Sequence, residues 1–79
     1  MKTKLDHLND LLEGNEQRLV QLEVGMETGE YRKKRKDITD EEKWAIAKRI
    51  TQMELEVADF EEALVVIRKK IKDETKKQK

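Results

Sequence analysis

The 79-residue chain contains no cysteine and no proline, and it has only one tryptophan, one tyrosine and one phenylalanine. The absence of cysteine excludes disulfide bonds and thiolate chemistry. The absence of proline leaves only three glycines to interrupt sequences that favour helix. The chain has no run of about 18 apolar residues, which argues against a membrane span. It also lacks the apolar stretch of a signal peptide, so we expect a cytoplasmic protein with no membrane contact.

Charge is abundant but balanced. The chain has 18 basic and 18 acidic residues, which give a formal net charge of zero. Like charges are grouped: residues 13–30 and 54–62 are mainly acidic, whereas 32–36 and 68–79 are mainly basic. Such grouping favours complementary contacts between chains or with a partner. The length is sufficient for one small domain, and we predict a single helical domain over residues 1–79.

The clearest pattern is a heptad seam in the second half of the chain, in which apolar residues recur at alternating intervals of four and three. The residues of this seam are Ile46, Ile50, Met53, Val57, Phe60, Leu64, Ile67 and Ile71. The spacing predicts one stripe of a helix. Thr39 is a favourable N-cap, and Glu42 completes a capping box. We therefore predict a helix over residues 40–76.

A weaker seam in the first half predicts a shorter helix over residues 3–28, with Gly29 as its C-cap. Asn15 occupies an apolar slot in this seam and has two interpretations. A buried asparagine can fix the pairing register, or Gly14 and Asn15 can form a local break. The remaining seam positions are Leu5, Leu8, Leu12, Leu19, Leu22 and Met26.

We predict that the basic segment 29–38 is a connection that reverses the chain, because a capping box at Thr39 would have no role inside a continuous helix. The alternative is a helical continuation, since arginine and lysine are good helix formers. Reversal in this segment pairs Leu22 with Ile46 and Leu5 with Leu64. It also places acidic residues on corresponding flanks of the two seams, which leaves the register open. These residues are Glu16, Glu23, Glu54 and Glu61.

The predicted fold is all-α: an antiparallel helical hairpin with a short first helix and a long second helix. In the predicted register, Ile67 and Ile71 extend beyond the first helix and have no partner. Burying them requires a second copy. We therefore predict self-association through the seam into a coiled-coil-like or four-helix-bundle homodimer. The sequence leaves parallel and antiparallel pairing of the copies open.

No set of residues points to catalysis. His7 is the only histidine, and one histidine without a cysteine or a placed carboxylate pair specifies neither a metal site nor a nucleophile. The segment from Gly25 to Gly29 lacks the lysine and the preceding strand of a phosphate-binding loop. We expect no enzymatic activity, no catalytic residue, no bound metal and no cofactor.

A cluster of five basic residues has two interpretations. It can contact phosphates, with Tyr31 and Trp44 as stacking surfaces, or it can contact acidic faces of a partner protein. The zero net charge and the flanking acids weaken the first interpretation. Trp44 either covers the end of the core or, if exposed, is a partner hot spot. The basic cluster consists of Arg32, Lys33, Lys34, Arg35 and Lys36.

These patterns predict a small non-enzymatic protein–protein interaction module, such as a regulator, inhibitor or adaptor. We expect it to associate with itself through the heptad seam and to bind a further protein. The alternative is a nucleic-acid-binding protein that uses the basic segment 32–36.

Overall fold

A computed structural model describes residues 1–77 of the chain, and within them it contains two α-helices and no strand. Helix α1 comprises Lys4–Lys33, and helix α2 comprises Asp40–Lys77. The helices lie side by side in an antiparallel hairpin with principal extents of 60 × 20 × 15 Å. The predicted all-helical class is confirmed, and the chain reverses between the two helices.

A capping box starts helix α1. The Thr3 hydroxyl oxygen accepts a hydrogen bond from the Asp6 amide at 3.2 Å, and the Asp6 carboxylate accepts one from the Thr3 amide at 3.1 Å. These two bonds satisfy amide groups that have no partner inside the helix. Helix α2 begins with half of the predicted capping box. The Thr39 hydroxyl oxygen accepts a hydrogen bond from the Glu42 amide at 3.1 Å and donates one to the Glu42 carboxylate at 3.3 Å. Three consecutive acidic residues, 40–42, follow this cap and complement the positive end of the helix dipole.

The predicted end of α1 is wrong. Gly29 does not cap the helix, because α1 continues to Lys33 and no glycine among the described residues has a positive φ. The extra turn is favoured by Arg32 and Lys33, which complement the negative end of the helix dipole. Lys33 also lies 3.7 Å from the carboxylate of Glu30. The connection therefore comprises residues 34–39 rather than 29–38.

Asn15 does not break α1, which is continuous through Gly14. Its side-chain amide donates a hydrogen bond to the Leu11 carbonyl oxygen at 2.7 Å. The side chain is half-buried beside the seam. The interpretation as a local turn is therefore wrong, and the amide group finds its partner on its own helix.

The predicted register of the hairpin is also wrong. Lys4 Nζ lies 3.2 Å from Glu74 Oε1, whereas the sequence pattern placed the neighbouring Leu5 opposite Leu64. The difference is about two and a half helical turns along α2. It follows from the longer α1, which moves the chain reversal toward the C-terminus. As a result α1 covers the part of α2 that was expected to have no partner: Ile67 is buried and Ile71 is half-buried.

Charges across the hairpin match in the observed register. Arg18 lies 3.6 Å from Glu56 on one side of the seam, and Glu16 lies 3.7 Å from Arg68 on the other. The predicted register placed Glu16 on a flank shared with acidic residues of α2. In the observed register Glu16 instead faces the basic Arg68. Each exposed pair adds little stability, but the two pairs together favour the observed register over the predicted one.

The ion pair between Lys4 and Glu74 predicts a dependence on pH. The hydrogen bond from Lys4 holds the pKa of Glu74 below its usual range. Because the folded pKa lies below the unfolded one, the pair stabilises the hairpin above the ordinary carboxyl pKa, and this contribution is lost as pH falls through the lowered value.

We therefore expect Lys4→Gln to lower the melting temperature slightly at about pH 7 and to have no effect at a pH below the lowered pKa of Glu74, where its carboxyl group is protonated in both states. Circular dichroism during heating measures both values. Lys70→Gln, at a lysine that forms no ion pair within residues 1–77, is the control. An equal loss at both pH values for Lys4→Gln would contradict the assignment.

Candidate functional site

The heptad seam of α2 forms the core of the hairpin. Ile50, Leu64 and Ile67 are buried, as are Leu8 and Leu22 of α1. The other seam residues are half-buried: Ile46, Met53, Val57, Phe60 and Ile71. All eight residues are therefore engaged within one chain. Self-association through them stays a prediction.

Two glycines of α1 allow α2 to approach closely near the connection. A Cβ atom built on Gly29 would lie 3.0 Å from two side-chain carbons of Ile50, and one built on Gly25 would lie 3.2 Å from the sulfur of Met53. The small residues let the helices pack tightly, as small-xxx-small pairs do elsewhere. The spacing of Gly25 and Gly29 is visible in the sequence. Its role in helix packing depends on the residues of α2 that lie opposite, and it was not predicted from the sequence.

The side of α2 opposite the seam carries exposed apolar residues. Trp44 is 70% exposed, Leu55 65% and Val65 66%. They belong to two adjacent rows of residues spaced seven apart, so each row runs along one line of the helix. The first row is Trp44, Thr51, Ala58 and Val65, and the second is Glu41, Lys48, Leu55, Glu62 and Lys69. We call these two rows the outer strip.

Trp44 does not cover the end of the core. Its ring is largely exposed, and the ammonium group of Lys48 lies 5.6 Å from the ring centroid. This is cation–π geometry at a solvent-exposed site. An exposed tryptophan at one end of an apolar strip fits the interpretation of Trp44 as a partner hot spot.

The outer face of α1 is less apolar than the outer strip. Val20 and Val24 are 59% and 58% exposed, and Tyr31 is 80% exposed. On this face Glu27 lies between the valines and Tyr31. N-terminal to Val20, the only large apolar residue of α1 near this face is Leu11, which lies to one side. Scattered exposed apolar residues are ordinary, so this face is a weaker candidate. It supplies matched control positions for the outer strip.

The basic cluster is divided between helix and connection. Arg32 and Lys33 lie in the last turn of α1, and Lys34 is the C-cap. In the connection, Arg35 lies 3.5 Å from the Asp37 carboxylate, and Lys36 is exposed. Two of the five charges are thus already paired, since Lys33 contacts Glu30.

A shallow hollow beside the basic cluster is open to solvent. Tyr31, Arg32 and Arg35 line it together with Glu27 and Thr28. A smaller hollow next to it joins Tyr31 to Arg35 and Lys34. The structure therefore brings one aromatic ring and three basic residues together, but Trp44 does not contribute to either hollow.

The remaining sequence candidates have no built site around them. His7 is exposed on α1. Within residues 1–77, no group of three or more histidine, aspartate or glutamate side chains is placed to hold a metal ion. In the same part of the chain, neither helix offers an apolar stretch sufficient to cross a bilayer. No family model matches the chain, and comparisons with curated proteins and with solved structures find no similar protein.

Proposed function

We propose that the protein is a small non-enzymatic protein–protein interaction module, of the regulator, inhibitor or adaptor type, and that the outer strip of α2 is its binding surface. The observation that supports this proposal is the exposure of Trp44, Leu55 and Val65 on one side of a helix whose other side is already packed. A helix that is apolar on two sides normally has two neighbours. Helix α1 supplies only one of them.

The expected energy of such a contact is considerable. Burying one large apolar side chain contributes about 1.5–3 kcal/mol, and buried tryptophans are frequent binding hot spots. Trp44, Leu55 and Val65 stand on a continuous helix between charged residues such as Lys48 and Glu62. This arrangement of apolar anchors with a polar rim is typical of protein interfaces.

A capture experiment with the full chain tests the proposal. We expect the wild-type chain to capture a partner protein. The triple variant Trp44→Ala, Leu55→Gln, Val65→Gln should bind the same protein about 30-fold or more weakly. The control variant Val20→Gln, Val24→Gln changes two apolar residues on α1 that are also more than half exposed, and it should bind like wild type. Circular dichroism should show full helicity for both variants. Equal capture by wild type and the outer-strip variant would contradict the proposal.

A second candidate function, nucleic-acid binding, is favoured by the hollow that joins Tyr31 to Arg32 and Arg35. An exposed aromatic ring beside guanidinium groups can stack on a base while the charges contact phosphates. In this case a single-stranded oligonucleotide binds with strongly salt-dependent affinity. Changing Lys33, Lys34 and Arg35 to glutamate should then abolish binding. No binding by wild type at low salt removes this candidate.

A further inference from the structure

We infer that the partner on the outer strip is a second copy of the same chain, packed antiparallel about a twofold axis at Leu55. This inference rests on the proposed function, because it names the occupant of the same surface. It differs from the self-association expected from the sequence, which used the heptad seam. In the hairpin that seam is covered by α1, and the outer strip is the exposed side of α2.

The charges of the outer strip are self-complementary in the antiparallel direction. Its second row carries, at intervals of seven residues, Glu41, Lys48, Leu55, Glu62 and Lys69. When two copies pair with Leu55 against Leu55, Lys48 of each copy lies opposite Glu62 of the other. Glu41 likewise lies opposite Lys69. The twofold axis generates each pair twice, so four ion pairs flank the central leucines.

The opposite orientation is disfavoured by the same row. A parallel, in-register pair places Glu41 on Glu41, Lys48 on Lys48 and Glu62 on Glu62. Like charges in contact at an interface are unfavourable and exclude wrong arrangements. Within residues 1–77, none of the four charged side chains of this row forms an ion pair in the hairpin. Their charges are therefore not neutralised by an ion pair in the hairpin, although Lys48 also lies over the Trp44 ring.

The first row of the outer strip, Trp44, Thr51, Ala58 and Val65, supports the same arrangement. Antiparallel pairing about Leu55 places Trp44 of one copy beside Val65 of the other, and Thr51 beside Ala58. Large side chains of this row then meet at the two ends, and the small Thr51 and Ala58 meet on either side of the central Leu55 pair. The contact extends from Glu41 to Lys69, about 42 Å or eight turns at a rise of 1.5 Å per residue. In the resulting four-helix assembly the two α2 helices are central.

Charge reversal and charge exchange test the inference by sedimentation equilibrium of the full chain. Wild type should have twice the chain mass of 9.4 kDa. Lys48→Glu and Glu62→Lys should each raise the dimer dissociation constant by about tenfold or more, because each creates two like-charge contacts. The double variant restores both pairs with reversed polarity, and its dissociation constant should return to within about threefold of wild type.

Two controls separate association from folding. Glu13→Lys reverses an exposed acid on α1, away from the outer strip, and should leave the dissociation constant unchanged. All four variants should keep the helical circular dichroism of wild type at high concentration. Trp44, the only tryptophan, should shift its fluorescence to longer wavelength as wild type is diluted below the dissociation constant.

A wild-type chain that remains monomeric at high micromolar concentration would overturn the inference, as would a double variant no better than the single ones. A dimer that both single reversals leave intact would also overturn it, because another surface would then hold the copies together. A different result is a monomeric chain whose wild type captures another protein that the outer-strip variant does not bind. In that case the proposed function stands, and the inference of a second copy is wrong.

Discussion

Leu22→Ala is expected to lower the free energy of unfolding by about 2–5 kcal/mol, the range for a leucine removed from a packed core. Leu22 is the least exposed of the buried residues, at 3%. A two-helix hairpin has few alternative side chains that can move into the cavity. Since a chain of 79 residues has a total stability of about 4–12 kcal/mol, the variant should lose a large part of its folded population at 37 °C. Urea denaturation followed by circular dichroism measures the change.

Leu11→Ala is the matched control for this prediction. It removes the same atoms from the same helix, but Leu11 is 54% exposed. Surface substitutions of this kind change stability by about 0.5 kcal/mol or less. If the two variants were equally stable, Leu22 could not lie at the centre of the interface between α1 and α2.

Gly29→Leu is expected to produce the second large effect. A Cβ atom at Gly29 already approaches two side-chain carbons of Ile50 to 3.0 Å, so a leucine at this position requires the Ile50 side chain or α2 to move. Overpacking of this kind destabilises by about 1–3 kcal/mol, which exceeds the gain of about 1 kcal/mol in helix propensity. We expect a lower melting temperature and a smaller unfolding free energy.

Gly14→Leu gives the opposite sign in the same helix. A Cβ atom at Gly14 would meet nothing within 4 Å, so the substitution gains helix propensity without a clash. It should stabilise the hairpin by about 0.5–1 kcal/mol. Stabilisation by both substitutions would contradict the close approach of the helices at Gly29.

The sequence predicted the helical class and the N-cap at Thr39 because both depend on local patterns. The end of α1 was predicted incorrectly because Gly29 satisfies two different requirements. A glycine can terminate a helix with a positive φ, or it can let another helix approach. Only the position of Ile50 distinguishes them, and Ile50 is distant in sequence. The error then propagated into the register, since a longer α1 moves every contact along α2.

The interaction surface proposed from the structure differs from the one expected from the sequence. The rows that contain Trp44, Leu55 and Val65 are visible in the sequence as an irregular second strip, but the seam that ends in Ile67 and Ile71 has the stronger periodicity. Sequence reasoning therefore assigned partner binding to the stronger seam. The structure shows that α1 is long enough to cover that seam. The order of charges along the outer strip can be used to infer a pairing only after it is known which face of α2 remains exposed.

Gly29 of α1 packs against Ile50 of α2 within one chain, so the hairpin closes its own heptad seam. Isotope-filtered nuclear Overhauser spectroscopy on an equal mixture of labelled and unlabelled chains tests it directly. We expect contacts between the Gly29 α-protons and the Ile50 methyl groups within single chains, together with contacts between Gly25 and Met53. Contacts of Gly29 with Ile50 that occur only between differently labelled chains, or contacts of Ile50 with Leu19 in place of Gly29, would contradict it.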